Sequence, residues 1–451
     1  MEEKNRRIVI LGGGESGAGA AVLAKVKGFD VFLSDAGQIP QRYIDRLNEY
    51  GIPFEQGGHT PELILNADEI IKSPGIPPTA PLIVELKKKG TPIISEIEFA
   101  GRYTDAKMVC ITGSNGKTTT TLLTYHILRD AGLNVGLAGN VGKSLAFQVA
   151  TSSHDVYVIE LSSFQLENMY DFKANVAVLM NITPDHLDRY DYKMENYVRA
   201  KFRIFNNMTQ SDAIVYWQDD PVILRQMSTL ATEAQLYPFS QYKEGENTAA
   251  YVDDENELIF STPEQSLKMP RADLSLTGLH NLFNSMAAGL SACLLDISRE
   301  DIRRALSDFE GVEHRLEFTR ELNGVRWIND SKATNVNSCW YALESMPKGK
   351  HTVLILGGKD KGNDYTEIRH LVEDKVKAIV AMGKDNAKIV DFFSGIVPVS
   401  DTHSLEDAVA ECMRLAEKED TVLLSPCCAS FDLFRSYEDR GEKFKNAVKA
   451  L

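Results

Sequence analysis

The sequence predicts an α/β protein of three domains built on mainly parallel sheets. Three observations carry this expectation. Short aliphatic runs, each followed by glycine or polar residues and then by a helical pattern, recur along the whole chain. The length of 451 residues corresponds to about three domains of ordinary size. A composition of 43% hydrophobic and 25% charged residues gives ample core, with no short-period repeat and no low-complexity tract.

In order, the first unit opens with the strand Arg7 to Leu11 and continues through Asp30 to Asp35 and Glu69 to Ser73. It ends near the helical Glu96 to Tyr103, so a first, Rossmann-like domain is expected over 1–105. A second domain over 106–311 holds the strand ending at Thr112, then Asp155 to Glu160 and Ala174 to Asn181, a long polar region, and a helix from His280 to Leu295. Gly311-Val312 is the expected second linker. The third domain, 312–451, places strands at Thr352 to Leu356, Ala378 to Met382 and Thr421 to Ser425. In open parallel sheets ligands sit beyond the carboxyl ends of the strands, so the loops after these runs are where chemistry is sought.

Charge excludes some functions. With 49 basic against 64 acidic residues the formal charge is -15, which disfavours a nucleic-acid or anionic-membrane partner. The six cysteines contain no C-x-x-C pair, and the adjacent Cys427-Cys428 fits neither a disulfide framework nor a zinc site. All six read as reduced thiols, with Cys427-Cys428 either packed or reactive. Met1-Glu2-Glu3-Lys4 leads straight into the first strand without an apolar leader, and no stretch approaches a membrane span. A cytoplasmic protein is expected.

The stretch Gly113-Ser114-Asn115-Gly116-Lys117-Thr118-Thr119 sits between an apolar strand and the helical run Leu122 to Leu128. Glycines let backbone N–H groups face phosphate oxygens, and the helix start adds the positive end of its dipole. Lys117 can neutralise β- and γ-phosphates and the Thr118 hydroxyl can hold Mg²⁺. The spacing departs from the usual P-loop, because its first glycine would fall at Ile111. The alternative is a ligand-free strand-to-helix corner with Lys117 as surface charge.

Gly12-Gly13-Gly14-Glu15-Ser16-Gly17 fits G-x-G-x-x-G after a strand, and Asp35 ends the next strand where a ribose-binding acid belongs. Taken alone this says dinucleotide. Against it, Glu15 brings negative charge beside a pyrophosphate, and no hydride chemistry is identifiable. A diphosphate-sugar ligand is compatible with the loop, and tight strand–helix packing with no ligand is the plainer alternative. The loop Ser73-Pro74-Gly75-Ile76 could wall the same crevice or be a plain turn.

Glu160 ends a buried-type strand, the position from which a carboxylate reaches Mg²⁺, although a lone strand-end glutamate is usually solvated. What raises it is the following Leu161-Ser162-Ser163-Phe164-Gln165 and a second strand end carrying Asp185-His186-Leu187-Asp188. His186 reads as a metal or substrate contact, or as a capping residue.

These segments, together with Asn329-Asp330-Ser331-Lys332-Ala333-Thr334-Asn335, resemble the Mur ligase family over essentially the whole chain and in the right order. The resemblance implies an ATP-dependent, ADP-forming amide ligase of peptidoglycan precursor synthesis, with a UDP-binding first domain, an ATPase middle domain and an amino-acid-binding third domain. It implies ATP and Mg²⁺, two ions, as cofactors. Gly113, Ser114, Asn115, Gly116, Lys117, Thr118 and Thr119 would bind ATP phosphates, and Asn284 the adenine. Thr118, Glu160, His186 and Lys201 would be the metal set, Lys201 being the family lysine that is carbamoylated; otherwise it is a salt-bridging lysine. Arg315, Asp330 and Lys332 match residues that the third domain brings to ATP on closure, the plainer alternative being ordinary ion pairs. Lys117, Glu160, His186, Lys201 and Lys332 would be catalytic.

For the UDP-sugar substrate the resemblance points to Gly14, Glu15, Ser16, Asp35, Ser73, Gly75, Asn140, Ser162 and His186; Asn140 is otherwise a turn residue. Within the family the chain looks most like the branch that adds D-glutamate to UDP-N-acetylmuramoyl-L-alanine. Thr334, Lys361, Ser430, Phe431 and Tyr437 match the glutamate positions, Tyr437 replacing an expected phenylalanine, and the Asp-Asn-Pro-Arg signature of later-acting relatives is missing. The partners implied are these small molecules, with no nucleic acid and no membrane, and a monomer. Two other readings stay open: a folylpolyglutamate synthase-like ligase, which would lack the first domain, and a nicotinamide oxidoreductase, which would leave Lys117, Glu160 and His186 idle.

Overall fold

The computed structural model describes residues 6–451; the Met1 to Lys4 stretch lies outside the described residues. The chain forms two compact units. One extends to Leu274 and takes up Phe283–Asp308; the other consists of Ser275–Leu282 and Phe309–Leu451.

The first unit contains two sheets. In the N-terminal one, β1 (Arg7–Leu11), β2 (Asp30–Asp35), β3 (Phe54–Gln56), β4 (Glu69–Lys72) and β5 (Ile93–Ile94) run parallel in the order β3-β2-β1-β4-β5. Alternating residues of β1 face opposite cores: Ile8 and Ile10 pack with the helix Glu15–Val26, Val9 and Leu11 with Ile64, Ile83 and Leu86. Both faces are covered, which is why these strands read as continuous aliphatic runs. Strand order reverses between β1 and β4, so the loops carrying Gly12 to Gly14 and Ser73 to Gly75 meet at the switch point. The approach is close: a Cβ on Gly12, whose φ is +101°, would fall 2.3 Å from Ser73 Oγ.

The helix Glu15–Val26 meets this loop with no room to spare, since a Cβ on Gly17 would lie 1.8 Å from the Gly12 carbonyl oxygen. Alanine normally gains about 1 kcal/mol over glycine inside a helix. Here backbone crowding should outweigh that gain. Gly17→Ala is expected to lose about 1–3 kcal/mol of stability, read as an earlier urea midpoint at unchanged slope.

The middle sheet has nine strands in the order β14-β13-β12-β11-β10-β9-β6-β8-β7. Its parallel part comprises β6 (Lys107–Thr112), β7 (Val135–Gly139), β8 (Val156–Glu160), β9 (Val176–Leu179), β10 (Ala213–Trp217) and β11 (Gln235–Tyr242). β12 (Ala250–Val252) pairs parallel with β11, and β13 (Glu257–Ser261) and β14 (Ser266–Pro270) finish the sheet as an antiparallel edge. The stretch read from sequence as a long polar region therefore carries β10 to β14. The last two were obscured because only one face is buried, so polar and apolar residues alternate.

In the second unit, β15 (Glu317–Leu322), β16 (Val325–Asn329), β17 (Thr352–Leu356), β18 (Val376–Met382), β19 (Val399–Thr402) and β20 (Thr421–Leu424) form a six-stranded sheet ordered β15-β16-β20-β17-β18-β19. It is parallel except for β15, an antiparallel edge on β16. Val353, Ile355 and Val422 pack with Phe444 and Val448, and Leu354, Leu356 and Leu423 fill the opposite core. Three mainly parallel sheets are the α/β architecture expected. All six cysteines are buried and unpaired. Among the described residues no helix is long and apolar enough to cross a membrane.

One buried carboxyl links the two sheets of the first unit. Ser144 caps the helix Leu145–Thr151, its Oγ accepting from Phe147 N and donating to Glu96 Oε1 at 2.6 Å, while Ala146 N donates to the same oxygen. Burial pushes the Glu96 carboxyl up to about 7, against the Ser144 and Ala146 hydrogen bonds. The native state thus keeps a proton that the unfolded chain loses near pH 4.5. The stability this contributes is complete below that pH and is lost as pH rises through about 7. Glu96→Gln keeps Oε1 as an acceptor and cannot ionise. Between pH 5 and 8 the variant should gain on the parent by up to roughly 3 kcal/mol, measured by denaturant unfolding at both pH values.

Candidate active site

In the first unit β6 delivers Gly113 to Gly116 to the start of the helix Lys117–Asp130. Gly116, with φ +82°, precedes the helix in the left-handed region, and a Cβ there would fall 2.5 Å from Asn284 Oδ1. The loop is held by the segment after β9: Ser114 N donates to Asn181 O and Asn115 N to Asn181 Oδ1, both at 2.8 Å. Ser114 Oγ donates to Thr183 O at 2.8 Å and lies 3.0 Å from Tyr197 Oη. Lys117 Nζ reaches back to the carbonyls of Gly113 and Ser114, 2.9 Å each. Thr118 is half-buried in the first helical turn, whereas Thr119 is buried. Asn284 is buried beneath the loop, where its Oδ1 accepts from Thr120 Oγ1 at 3.2 Å.

Glu160 ends β8, paired with Ile111 of β6, and so stands next to this loop. Its Oε1 accepts from Asn140 Nδ2 at 2.8 Å, whereas Oε2 is buried without a hydrogen-bond partner among the described residues. A buried carboxylate oxygen with no donor is costly, and a cation is what would satisfy it. Lys201, 1% exposed, donates to Gly113 O at 2.6 Å, and its ammonium lies 4.7 Å from the centre of the Tyr197 ring. Burial pulls its amine well below the usual lysine range; Lys117 pulls the same way while Asp185 and Glu160 oppose. His186 adopts φ +51° before the turn Leu187–Tyr190, its Nε2 3.6 Å from Asp185 Oδ2 and its ring edge-on to Phe164. The carboxylate oxygen of Glu160 and the hydroxyl of Thr118 are oxygen donors of the kind that a divalent cation takes.

The other expected residues of this unit are placed with definite partners. The Asn140 amide is committed to Glu160, and Ser162 caps the helix Ser163–Leu166 in a reciprocal box with Gln165. Asp35 accepts from Gly13 N and Gly37 N, fixing the glycine loop. Gly14 and Ser16 flank the start of the helix Glu15–Val26. Glu15 accepts from Ser144 N at 3.0 Å and pairs with Arg46 at 3.3 Å, so protein groups take up the charge that its position in the loop brings. Ser73 N donates to Leu11 O, and Gly75 borders open space. Asn181 and Tyr197, which shape the phosphate loop, carried no role in the sequence reading.

In the second unit Arg315 lies just before β15, and the other expected residues fall on loops beyond β16, β17 and β20, which are neighbours in the sheet, and on the helix Tyr437–Ala450. Asp330 is fully buried; Oδ2 accepts from Ser425 Oγ at 2.8 Å and Oδ1 lies 3.8 Å from Arg315. Burial pushes its carboxyl up to about 6, with Arg315 restraining the rise. The Lys332 ammonium lies 5.3 Å from the centre of the Tyr437 ring, and Ser331 Oγ donates to Tyr437 O. Gly357 and Gly358, φ +133° and +131°, let the Lys361 loop run against the Ser430 loop: a Cβ on Gly358 would meet Ala429 O at 2.4 Å. Thr334 stands just before the helix Val336–Glu344, Ser430 is buried, and Lys361 and Phe431 are exposed. Arg440, fully buried, donates to Ser331 Oγ, Ser331 O and Cys428 O, clamping two of these loops together. Nothing local in the sequence marks it.

A glycine loop at a helix start, with a lysine and a hydroxyl on it and a donorless carboxylate oxygen on the neighbouring strand, defines a nucleotide-handling α/β enzyme. Family models sharpen this: the Mur ligase MurD-like N-terminal domain matches residues 6–95, the Mur ligase middle domain 111–292, and the Mur ligase glutamate ligase domain 314–428. The chain belongs to the Mur ligase family. It is 63% identical to a UDP-N-acetylmuramoylalanine--D-glutamate ligase of Bacteroides fragilis over 99% of this chain and 100% of that one. A ligase of the same name from Porphyromonas gingivalis is 56% identical, both chains covered fully. Among solved structures, a pseudomurein peptide ligase type C from Methanothermus fervidus superposes with TM-score 0.62 at 21% identity, covering 99% of this chain and 100% of that one. A UDP-N-acetylmuramate-alanine ligase from Thermotoga maritima gives 0.61 at 19%, covering 98% and 99%. These two likenesses show the fold.

Proposed function

We propose that this chain joins D-glutamate to UDP-N-acetylmuramoyl-L-alanine, converting ATP to ADP and phosphate, as a cytoplasmic monomer. The observation that carries the reading is full-length identity of 63% with a ligase of that name. The site supports the chemistry. The acceptor carboxylate attacks the γ-phosphorus, the β–γ bridge bond breaks, and ADP leaves. The amine of D-glutamate then adds to the acyl phosphate carbon; loss of phosphate and a proton leaves the amide. Lys117 and the N–H groups of Gly113 and of Gly116 to Thr119 hold the phosphates, with Ser114 and Asn115 shaping the loop through Asn181; Asn284 serves the adenine, and Arg315, Asp330 and Lys332 act on the nucleotide.

Thr118, Glu160 and His186 would hold Mg²⁺, two ions in all, which when bound neutralises phosphate charge. Lys201 supports a further assignment. Burial lowers the pKa of its amine well below the usual lysine range, which favours the uncharged form that adds to carbon dioxide and loses a proton to become a carbamate, an oxygen donor where an ammonium would repel a cation. Gly14 to Ser16, Asp35, Ser73 and Gly75 form the UDP crevice, the Glu15 side chain acting through Ser144 and Arg46; Asn140 and Ser162 frame the sugar-peptide end. Domain limits of 1–105, 106–311 and 312–451 go with this division of labour.

D-glutamate is held by Lys361, Thr334 and Ser430, walled by Phe431 and Tyr437. A charge-assisted hydrogen bond contributes about 1.5–3 kcal/mol. Lys361→Ala should therefore raise KM for D-glutamate roughly 10- to 100-fold with KM for ATP unchanged. Equal loss for both substrates would remove Lys361 from the amino-acid site. Incorporation of labelled D-glutamate, but not L-glutamate, into the UDP-sugar product tests the reading as a whole.

A further inference from the structure

A cavity of about 360 Å³ in the first unit has no part in the site described above. It lies between the helix Pro81–Lys89, the segment Glu167 to Tyr170, and the helix Met194–Phe202. Lys72, at the end of β4, is 3% exposed there and donates to the carbonyls of Ser73 at 3.2 Å and Ile76 at 2.8 Å. Arg189 is held bidentately by Glu167 at 3.1 and 2.9 Å, and Arg203 by the carbonyls of Leu166 and Met169. Lys87 and Arg199 reach the cavity from exposed positions, with no side-chain hydrogen bond or ion pair among the described residues.

Five cationic side chains thus face one space, against the two carboxylates Glu167 and Asp191. This is a local inversion in a chain whose formal charge is -15. Converging like charges repel, and the arrangement is stabilised when a counter-charge enters. The donors come from separate elements, and five of them against two carboxylates suit an anion that carries more than one charge and several acceptor oxygens, as phosphate does. The volume is at the small end of ligand pockets.

We propose that this cavity binds a small phosphate-bearing anion, an organic phosphate or pyrophosphate carrying two or three negative charges. Lys72 gives it a route to the substrate crevice, because the same ammonium ties down the loop from Ser73 to Ile76. An occupant that draws Lys72 away would loosen that loop and shift affinity for the UDP-sugar several-fold; this second half rests on the function proposed above.

The test is calorimetric titration of the full chain with inorganic pyrophosphate in magnesium-free buffer, alone and after saturation with a non-hydrolysable ATP analogue and with UDP-N-acetylmuramoyl-L-alanine. One equivalent should bind in every case. Arg199→Glu and Lys87→Glu, at exposed positions that spare the fold, should each weaken binding at least tenfold. Lys72→Met, checked for folding by circular dichroism, should do the same, and citrate should bind at least tenfold more weakly than pyrophosphate. Loss of binding when the ATP analogue or the UDP-sugar is present, indifference to both exposed charge reversals, or citrate binding as tightly as pyrophosphate would overturn the proposal. Failure of the UDP-sugar to bind would count against the function proposed above while leaving the pyrophosphate result intact.

Discussion

Glu160→Gln should lower kcat by about 10²–10³ and move the magnesium dependence to higher concentration without weakening the fold. The two carboxylate oxygens have different surroundings. Oε1 accepts from the Asn140 amide, whereas Oε2 is buried with no donor among the described residues. Glutamine has the same shape and can keep its oxygen on Asn140. Its NH₂ group then occupies the position of Oε2, presenting a donor where a cation needs an acceptor. Relieving a buried acceptor that lacks a donor should leave stability unchanged or raise it by about 1 kcal/mol. Activity and stability are therefore expected to separate, read by steady-state kinetics across a magnesium series and by urea unfolding of the same preparations. Loss of both together would make Glu160 a structural residue.

Lys201→Ala carries the second large effect, a fall in kcat of about 10²–10³. Lys201 is buried between the phosphate loop and Tyr197, and burial pulls its amine well below the usual lysine range. A buried lysine hydrogen-bonded to Gly113 O could simply support the loop. If that were its whole role, the variant would bind ATP more weakly and parent activity would not respond to carbon dioxide. If the amine becomes a carbamate, parent activity should fall in degassed, carbonate-free buffer and return on adding bicarbonate, while Lys201→Ala stays low in both. The bicarbonate response distinguishes the two roles.

The parts of the site that sequence made legible are those whose chemistry is local. Phosphate binding needs glycine, lysine and a hydroxyl within one turn, so Gly113 to Thr119 announce themselves. Glu160 was legible for a similar reason, as an acid ending a strand that must lie beside that turn. The parts that stayed hidden depend on distant partners. Asn140 reads as a substrate-facing turn residue, but its amide holds Glu160, 20 positions away. Glu15 reads as a charge conflict in a diphosphate loop, yet Ser144 and Arg46 take up its carboxylate. Arg440 sits in an ordinary helical pattern, and only folding brings Ser331 and Cys428 to it. In the fold, the doubly covered parallel strands were plain as aliphatic runs, while β13 and β14, buried on one face, were masked by alternation.

In the proposed reaction the acceptor carboxylate is activated by phosphorylation and then captured by D-glutamate. The most direct measurement uses UDP-N-acetylmuramoyl-L-alanine labelled with ¹⁸O in its terminal carboxylate, and determines the mass of the phosphate released in the presence of ATP, Mg²⁺ and D-glutamate. Each phosphate should carry one ¹⁸O atom, released in step with the amide product and with D-glutamate but not L-glutamate. Unlabelled phosphate, or release that ignores the amino acid, would contradict it.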